Sequence, residues 1–330
     1  MKIGIMSFAH LHAESYIGNI RAVPGVEMIG IADEDLSRGK HFSQMFNARL
    51  FASYESLLAE KPDGVVVCSE NARHRRLVEM AANAGVHILC EKPLATTVED
   101  AQAMLDICET NGVKLMTAFP MRFSTPIVEI KRMIDGGGLG QIYAVNGTNQ
   151  GECPKHLRSW FVDKQLAGGG ALMDHIVHLA DILRWYLGSE VTEVFADANH
   201  ILYASETEVE TGGLVSLKFA NGTIATIDCS WNKPPYYPTW GGLALDLISE
   251  KGLVNVNAFK QVMTVYTHAA QRPRYAYWGS DADQGLINDF VAAIREDRAP
   301  AVTGYDGYKA VEIVAAAYRS VESGQPVALK

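Results

Sequence analysis

The sequence predicts an α/β protein: an N-terminal doubly wound parallel sheet, then an α+β unit with a large open, mostly antiparallel sheet. Three observations carry this. Short apolar runs alternate with helical segments of ~10–15 residues through the first third, the signature of βαβ units. After about Met121 the rhythm changes to closely spaced strand-like runs joined by tight turns. The chain has 330 residues, enough for two domains at ~100–200 residues each. The pattern divides it into 1–122 and 123–330, with no low-complexity tether between them.

In the first unit, Lys2–Met6, Val26–Ala32, Gly64–Cys68, Val86–Cys90 and Val113–Ala118 read as strands. Their near-continuous Val/Ile/Leu content suits strands covered on both faces. Helical patterns lie between them at Leu11–Val23, Leu36–Phe46 and Arg73–Ala84, and Thr96-x-x-Glu99 reads as a capping box opening a helix to Glu109. In the second unit, helices are expected at Pro126–Asp135 and Ala171–Leu187, with a strand at Gln141–Gly147. Leu214–Phe219 and Thr223–Cys229 flank Asn221-Gly222, a strong hairpin signal. Leu243–Ile248 and Leu253–Val256 flank Glu250-Lys251-Gly252, and Gln261–Thr267 suggests a further strand in what reads as one antiparallel sheet. Helices at Gln284–Glu296 and Gly307–Glu322 close the chain, the second stopped by Gly324 and Pro326.

Composition excludes several functions. Lys+Arg number 29 against 38 Asp+Glu, a net charge of −9. With no Lys/Arg run, nucleic acid and anionic membranes are not expected partners. No run of ~18 apolar residues is long enough to span a bilayer. The apolar stretch in MKIGIMSFAH is too short for a signal-peptide core. Cys68, Cys90, Cys108, Cys153 and Cys229 are scattered, with no C-x-x-C pair. This fits a reducing cytoplasm without disulfides, and no metal centre is expected.

Four motifs carry chemistry. The first strand–helix turn reads Ser7-Phe8-Ala9-His10-Leu11-His12, where a dinucleotide site would have G-x-G-x-x-G. Backbone N–H groups there can bind a diphosphate, although Ala9 and His12 add bulk; a generic turn is the alternative. Asp33 ends the second strand, where an acid binds the adenosine ribose of NAD. Glu34 and Asp35 follow with no Arg at the tip, which disfavours NADP; solvated loop acids are the bland reading. Glu91-Lys92-Pro93 follows a buried strand, at the sheet end that faces ligands in open α/β folds. Lys92 there can assist a carbonyl or alkoxide, or simply be solvated. In GGGALMDHIVHLAD at 168–181, Asp174, His178 and Asp181 fall at i, i+4 and i+7 on one helical face, with His175 beside Asp174. An acid–base role and a satisfied core histidine are both open for His178. A zinc site lacks H-E-x-x-H and a third ligand.

With these residues in view, the chain resembles the Gfo/Idh/MocA family of NAD(P)-dependent oxidoreductases, which includes glucose-fructose oxidoreductase and inositol dehydrogenases. The carriers are EKP at 91–93, SENARH at 69–74, MRF at 121–123, Trp160, GGGALMDHIVHLAD and the C-terminal stretch from VTGYDGYK. The resemblance covers nearly the whole chain. It implies a Rossmann domain followed by a substrate and oligomerisation domain, whose sheet serves as an interface in a homodimer or homotetramer. It implies catalytic roles for Lys92, Asp174 and His178, and a cis Lys92–Pro93 junction. It also implies cofactor contacts from Ser7, Phe8, Ala9, His10, Asp33, Ser69, Asn71, His74, Glu91 and Lys92. Arg122, Trp160, His175 and Tyr236, with the loop Lys233–Trp240, are candidate substrate-pocket residues, a plain structural loop being the alternative. Phe161 replaces the Arg that often follows the family's Trp.

The expected reaction is hydride transfer between a sugar, polyol or inositol hydroxyl and NAD, with NADP disfavoured. His178 is the expected base, Lys92 stabilises the alkoxide, and Asp174 orients His178 or shares protons with it. The rival readings are an NAD-retaining glycoside hydrolase of the same architecture and a non-catalytic NAD or sugar sensor.

Overall fold

The computed structural model describes residues 1–260, 262–265, 272, 274–277 and 279–329. Strands β1 (Lys2–Met6), β2 (Glu27–Ala32), β3 (Leu50–Phe51), β4 (Gly64–Val67), β5 (His87–Cys90) and β6 (Leu115–Thr117) form one sheet in the order β3-β2-β1-β4-β5-β6. Every pairing in it is parallel. Helices α1 (Ala13–Ala22), α2 (Leu36–Phe46), α3 (Tyr54–Leu58), α4 (His74–Asn83) and α5 (Val98–Thr110) connect the strands. Ile3 and Ile5 of β1 and Val65, Val66 and Val67 of β4 are buried, as a sheet covered on both faces requires. The strand order reverses between β1 and β4, so the crevice beyond their carboxyl ends is the expected ligand position.

The second sheet comprises β7 (Ile142–Asn149), β8 (Val191–Asn199), β9 (Gly212–Phe219), β10 (Ile224–Ser230), β11 (Leu243–Ser249), β12 (Gly252–Asn257) and a short last strand, β15 (Val327–Ala328). A separate ribbon pairs β13 (Val262–Val265) with β14 (Arg274–Tyr277). Helices α6 (Thr125–Asp135) and α7 (Lys164–Ala167) precede α8 (Ala171–Leu187), which lies on the inner face of the large sheet. Two glycines permit its close approach: a Cβ on Gly147 would stand 2.9 Å from Leu179, and one on Gly213 would stand 2.4 Å from Leu172. Helices α9 (Ala282–Arg295) and α10 (Gly304–Ser323) return to the first sheet, α9 against α1 and α10 against α5, while α10 also packs on α8. The outer face of the sheet mixes exposed Tyr143, Leu214, Ile224, Ile248 and Leu253 with Asn146, Lys218 and Asp246.

Several expectations need correction. The cap of α5 is Thr97, whose side chain accepts from the Asp100 N–H at 3.1 Å, not the Thr96/Glu99 box. The large sheet is not wholly antiparallel, because β10 runs parallel to β7. The sequence reading missed β8, β3 and α3. β8 pairs along the full length of β9, and that partnership, rather than its mixed local pattern, makes it a strand. Of the expected strand at Gln261–Thr267, Val262–Val265 is present and the rest lies outside the described residues.

Candidate active site

The C-terminal end of β5 carries Glu91, Lys92 and Pro93, and the Lys92–Pro93 peptide is cis. His74, at the start of α4, fixes this turn from below. Its Nδ1 lies 3.0 Å from the Pro93 carbonyl oxygen, and its Nε2 lies 3.3 Å from that of Ser69. Lys92 is 2% exposed, and its ammonium donates to Asp174 Oδ1 at 2.6 Å. Asp174 Oδ2 accepts from the Trp231 indole N–H at 3.3 Å and lies 3.1 Å from His175 Nε2. His175 is fixed in turn by Asn149, whose carbonyl oxygen is 2.7 Å from its Nδ1 and whose amide donates to the His175 carbonyl. Burial opposes ionisation of Asp174, but Lys92 and His175 outweigh it and hold the carboxyl well below the usual carboxylate range.

His178 stands one helical turn after Asp174. No hydrogen bond joins the two among the described residues, so Asp174 holds Lys92 rather than orienting His178. Burial, reinforced by the Lys92 charge, keeps the His178 imidazole well below its ordinary pKa and therefore neutral at pH 7. Lys92, Asp174, His175 and His178 line a cavity of about 200 Å³ together with His12, Asn149, Asp283, Trp240 and Phe259. That volume suits one small ring and lies below the ~300–1,000 Å³ of typical ligand pockets.

The turn between β1 and α1 lies beside this cavity and is tightly closed. Ser7 takes a φ of +74°. The Ser7 N–H donates to the Ala32 carbonyl, Phe8 N–H to Asp33, Ala9 N–H to Ser7 Oγ and His10 N–H to the Cys68 carbonyl. Residues 154–167 pack over the turn. Trp160 Nε1 donates to the Ala9 carbonyl, Arg158 pairs with Glu14 at 2.6 Å, and Asn71 Nδ2 donates to the Ala167 carbonyl. Asp33 accepts a bidentate pair from Arg38, both bonds at 2.8 Å. Around it, Arg73 pairs with Glu34 and Glu70, and Arg76 pairs with Glu34.

Comparison with known proteins places this arrangement. Residues 2–119 match the model described as "Oxidoreductase family, NAD-binding Rossmann fold", and residues 127–255 match the GFO/IDH/MocA C-terminal domain. This chain belongs to the GFO/IDH/MocA oxidoreductase family. It is 29% identical to the uncharacterized oxidoreductase YrbE of Bacillus subtilis (strain 168), over 99% of this chain and 95% of that one. It is 26% identical to a myo-inositol 2-dehydrogenase of Thermotoga maritima, over 100% and 99%. Its fold is similar to that of GenD2 from gentamicin A biosynthesis, solved in complex with NAD, with a TM-score of 0.89 at 24% identity, covering 100% of this chain and 96% of GenD2.

Membership of the family implies a nicotinamide dinucleotide. At the cavity end, the donor set fits such a group: a buried lysine, a neutral imidazole and apolar walls. At the diphosphate end, Ser7, Phe8, Ala9, His10, Ser69 and Asn71 are all buried, with Trp160 bonded to Ala9 and Ala167 to Asn71. The backbone of this turn and the residues at the cavity end are where this GFO/IDH/MocA chain would hold the dinucleotide.

The remaining sequence candidates divide clearly. His175 lines the cavity, as expected. Arg122 does not, because it pairs with Asp181 at 2.5 and 2.7 Å and with Asp306 at 3.1 Å. Asp181 is thereby turned away from the Asp174 end of α8. Trp160 caps the β1–α1 turn instead of a substrate pocket. Of the candidate loop Lys233–Trp240, Tyr236 is 87% exposed and is not in the cavity lining, whereas Trp240 lines it. Ser69 donates to the Glu70 carbonyl, and Glu91 faces His12 and His10 under the turn. The absence of an Arg at the Asp33 tip is corrected too: Arg38 reaches it from the first turn of α2, and α4 brings Arg76 to Glu34. Sequence reasoning missed Asn149, Trp231, Asp283 and Phe259, each of which comes from a separate element with no local motif.

No helix among the described residues is long and apolar enough to cross a membrane.

Proposed function

We propose that this oxidoreductase moves a hydride between a hydroxyl-bearing carbon of a sugar, polyol or inositol and a nicotinamide cofactor, NAD(H) in preference to NADP(H). The observation that carries the reading is the buried Lys92–Asp174 pair beside neutral His178 on one cavity. The cofactor, when bound, supplies the hydride acceptor or donor. His178 accepts the hydroxyl proton of the substrate as general base. Lys92 donates to the same oxygen as negative charge develops on it. Asp174 keeps the Lys92 ammonium in place, with Trp231 and His175 holding Asp174. Among the described residues no arginine lines the cavity, which suits an uncharged polyhydroxyl substrate over a phosphorylated one. Residues 1–122 are assigned to the cofactor and 123–330 to the substrate.

The cofactor preference follows from charge pairing. Arg38, Arg73 and Arg76, the arginines paired with Asp33 and Glu34 among the described residues, already carry these carboxylate partners, which leaves a 2′-phosphate facing acids. Neither a glycoside hydrolase nor a sensor is favoured by the family relatives.

The test is a screen of sugars, polyols and inositols with NAD⁺ and NADP⁺, read at 340 nm. With a substrate in hand, His178→Ala lowers turnover by on the order of 10²–10⁴, the usual worth of a positioned acid–base group, and leaves NAD affinity unchanged. Turnover at the wild-type rate by this variant refutes the assignment. So does release of an aglycone with no net change at 340 nm.

A further inference from the structure

Oxidation of a hydroxyl leaves a proton on His178, whose Nδ1 is buried with no partner among the described residues. The proton must leave through the cavity. Two other imidazoles line that cavity. His175 has both ring nitrogens engaged, Nδ1 by the Asn149 carbonyl and Nε2 by Asp174; the other is His12, just before α1, with its side chain 17% exposed. It occupies a position where a dinucleotide turn normally has glycine, and the Rossmann fingerprint gives it no task.

His12 is backed by an acid. Its Nδ1 lies 3.1 Å from Glu91 Oε1, and Glu91 is fully buried. Burial opposes ionisation of Glu91, but His10 and His12 outweigh it and keep the carboxyl well below its ordinary range. A carboxylate at this distance fixes the hydrogen of His12 on Nδ1. Nε2 is then the nitrogen that gains and loses a proton, and it makes no hydrogen bond among the described residues. A carboxylate-backed imidazole open to a pocket is the arrangement of a general acid–base group.

The surroundings are consistent with this. His10 accepts from the His12 backbone N–H through Nδ1 at 3.3 Å, so its own hydrogen lies on Nε2, which stands 3.8 Å from Glu91 Oε2. Tyr16 from α1 and Lys92 from β5 also face Glu91. Asp283 from α9, bonded to Ser15 at 2.7 Å, faces His12 from the other side, and His178 and Asp174 come from α8. Against burial, Glu91 and Asp283 raise His12 above its ordinary pKa, while burial and Lys92 depress His178. Two imidazoles on one cavity are thus pushed in opposite directions, the condition for passing a proton from one to the other. The donor atoms of His10, His12 and Glu91 lie within 4.8 Å of one another. The His10 tautomer nevertheless presents an N–H to the cluster, not the lone pair a cation needs.

We propose that His12, backed by Glu91, is a second acid–base group of this site that relays the substrate proton between His178 and solvent. The substrate O–H bond breaks as the His178 N–H forms. That N–H gives its proton to a water in the cavity as the same water gives one to His12 Nε2, and the proton then passes to solvent; reduction runs the same transfers backwards. The inference rests on the hydroxyl-oxidation reading above.

The experiment has two arms. In weak buffer, His12→Gln is expected to lower turnover by on the order of 10²-fold, the low end for a positioned acid–base group. The substrate KM is expected to hold, and added imidazole is expected to restore much of the rate. His12→Asn serves as a second variant if glutamine disturbs α1. Wild-type turnover in weak buffer overturns the proposal, and so does a loss that imidazole does not repair. The second arm uses cofactor-free protein without substrate. Histidine NMR is expected to show His12 titrating above the ordinary value and moving down in Glu91→Gln. A His12 ring that does not titrate between pH 5 and 9 overturns the proposal. Stoichiometric Zn²⁺ binding that disappears in His10→Ala also overturns it, in favour of a metal site. If no sugar or polyol is oxidised, the proposed function fails, while the NMR arm still decides the role of His12.

Discussion

Asp174→Asn tests the centre of the site. The variant keeps shape and hydrogen bonding but leaves the Lys92 ammonium buried without its counter-charge. At 2.6 Å, an effective dielectric of ~20 gives about 6 kcal/mol of Coulomb attraction. Much of that offsets the desolvation of both groups. Breaking one partner of a buried pair typically costs about 3–5 kcal/mol. The amide oxygen of Asn can still accept from Lys92, so about 3 kcal/mol is expected in urea denaturation of the cofactor-free protein. The double variant Lys92→Met/Asp174→Asn should lose less than the sum of the single losses, because no charge is then stranded. A coupling of about 2–3 kcal/mol is expected, and additivity within about 0.5 kcal/mol would refute the reasoning. The pH dependence has a defined sign. The folded-state pKa of Asp174 is depressed, so its stabilisation is present above the ordinary carboxylate range near ~4 and is lost as pH falls through the lower folded value. The acid limb of the wild-type stability curve should therefore be steeper than that of Asp174→Asn.

Three further outcomes are expected. Asp33→Ala releases the bidentate Arg38, so calorimetric titration should show NADP binding strengthened relative to NAD; an unchanged ratio contradicts the cofactor assignment. Because residues 154–167 cover the β1–α1 turn, Trp160→Ala should speed NAD association in stopped-flow measurements, and amide exchange in that segment should change when NAD is added; identical association rates would show that the segment does not gate the groove. The mixed apolar outer face of the large sheet should pair with a second copy, and a monomer of about 36 kDa by light scattering at micromolar concentration would exclude that.

The sequence by itself determined the layered architecture and which residues gather at the main cavity. Parallel strands buried on both faces need continuous apolar runs, and those runs stand at β1, β2, β4 and β5 within a residue or two. The extent of α8 follows from the glycines on both sides of it, and Lys92, Asp174, His175 and His178 all reach one cavity. Elements with weak local signals were not legible. β8 is made a strand by its pairing with β9, and the parallel β7–β10 contact depends on a crossover that no local pattern encodes. Partner choice among polar groups was likewise a tertiary matter. Helical spacing placed Asp174, His178 and Asp181 on one face of α8. Only packing sent Asp174 to Lys92 and Asp181 to Arg122, because each buried carboxylate must meet a cation brought by another segment of the chain. The same holds at Asp33, where α2 supplies Arg38, and at His12, where β5 supplies Glu91. Periodicity reports which face of an element is buried, whereas the charges that meet there are set by elements distant in sequence.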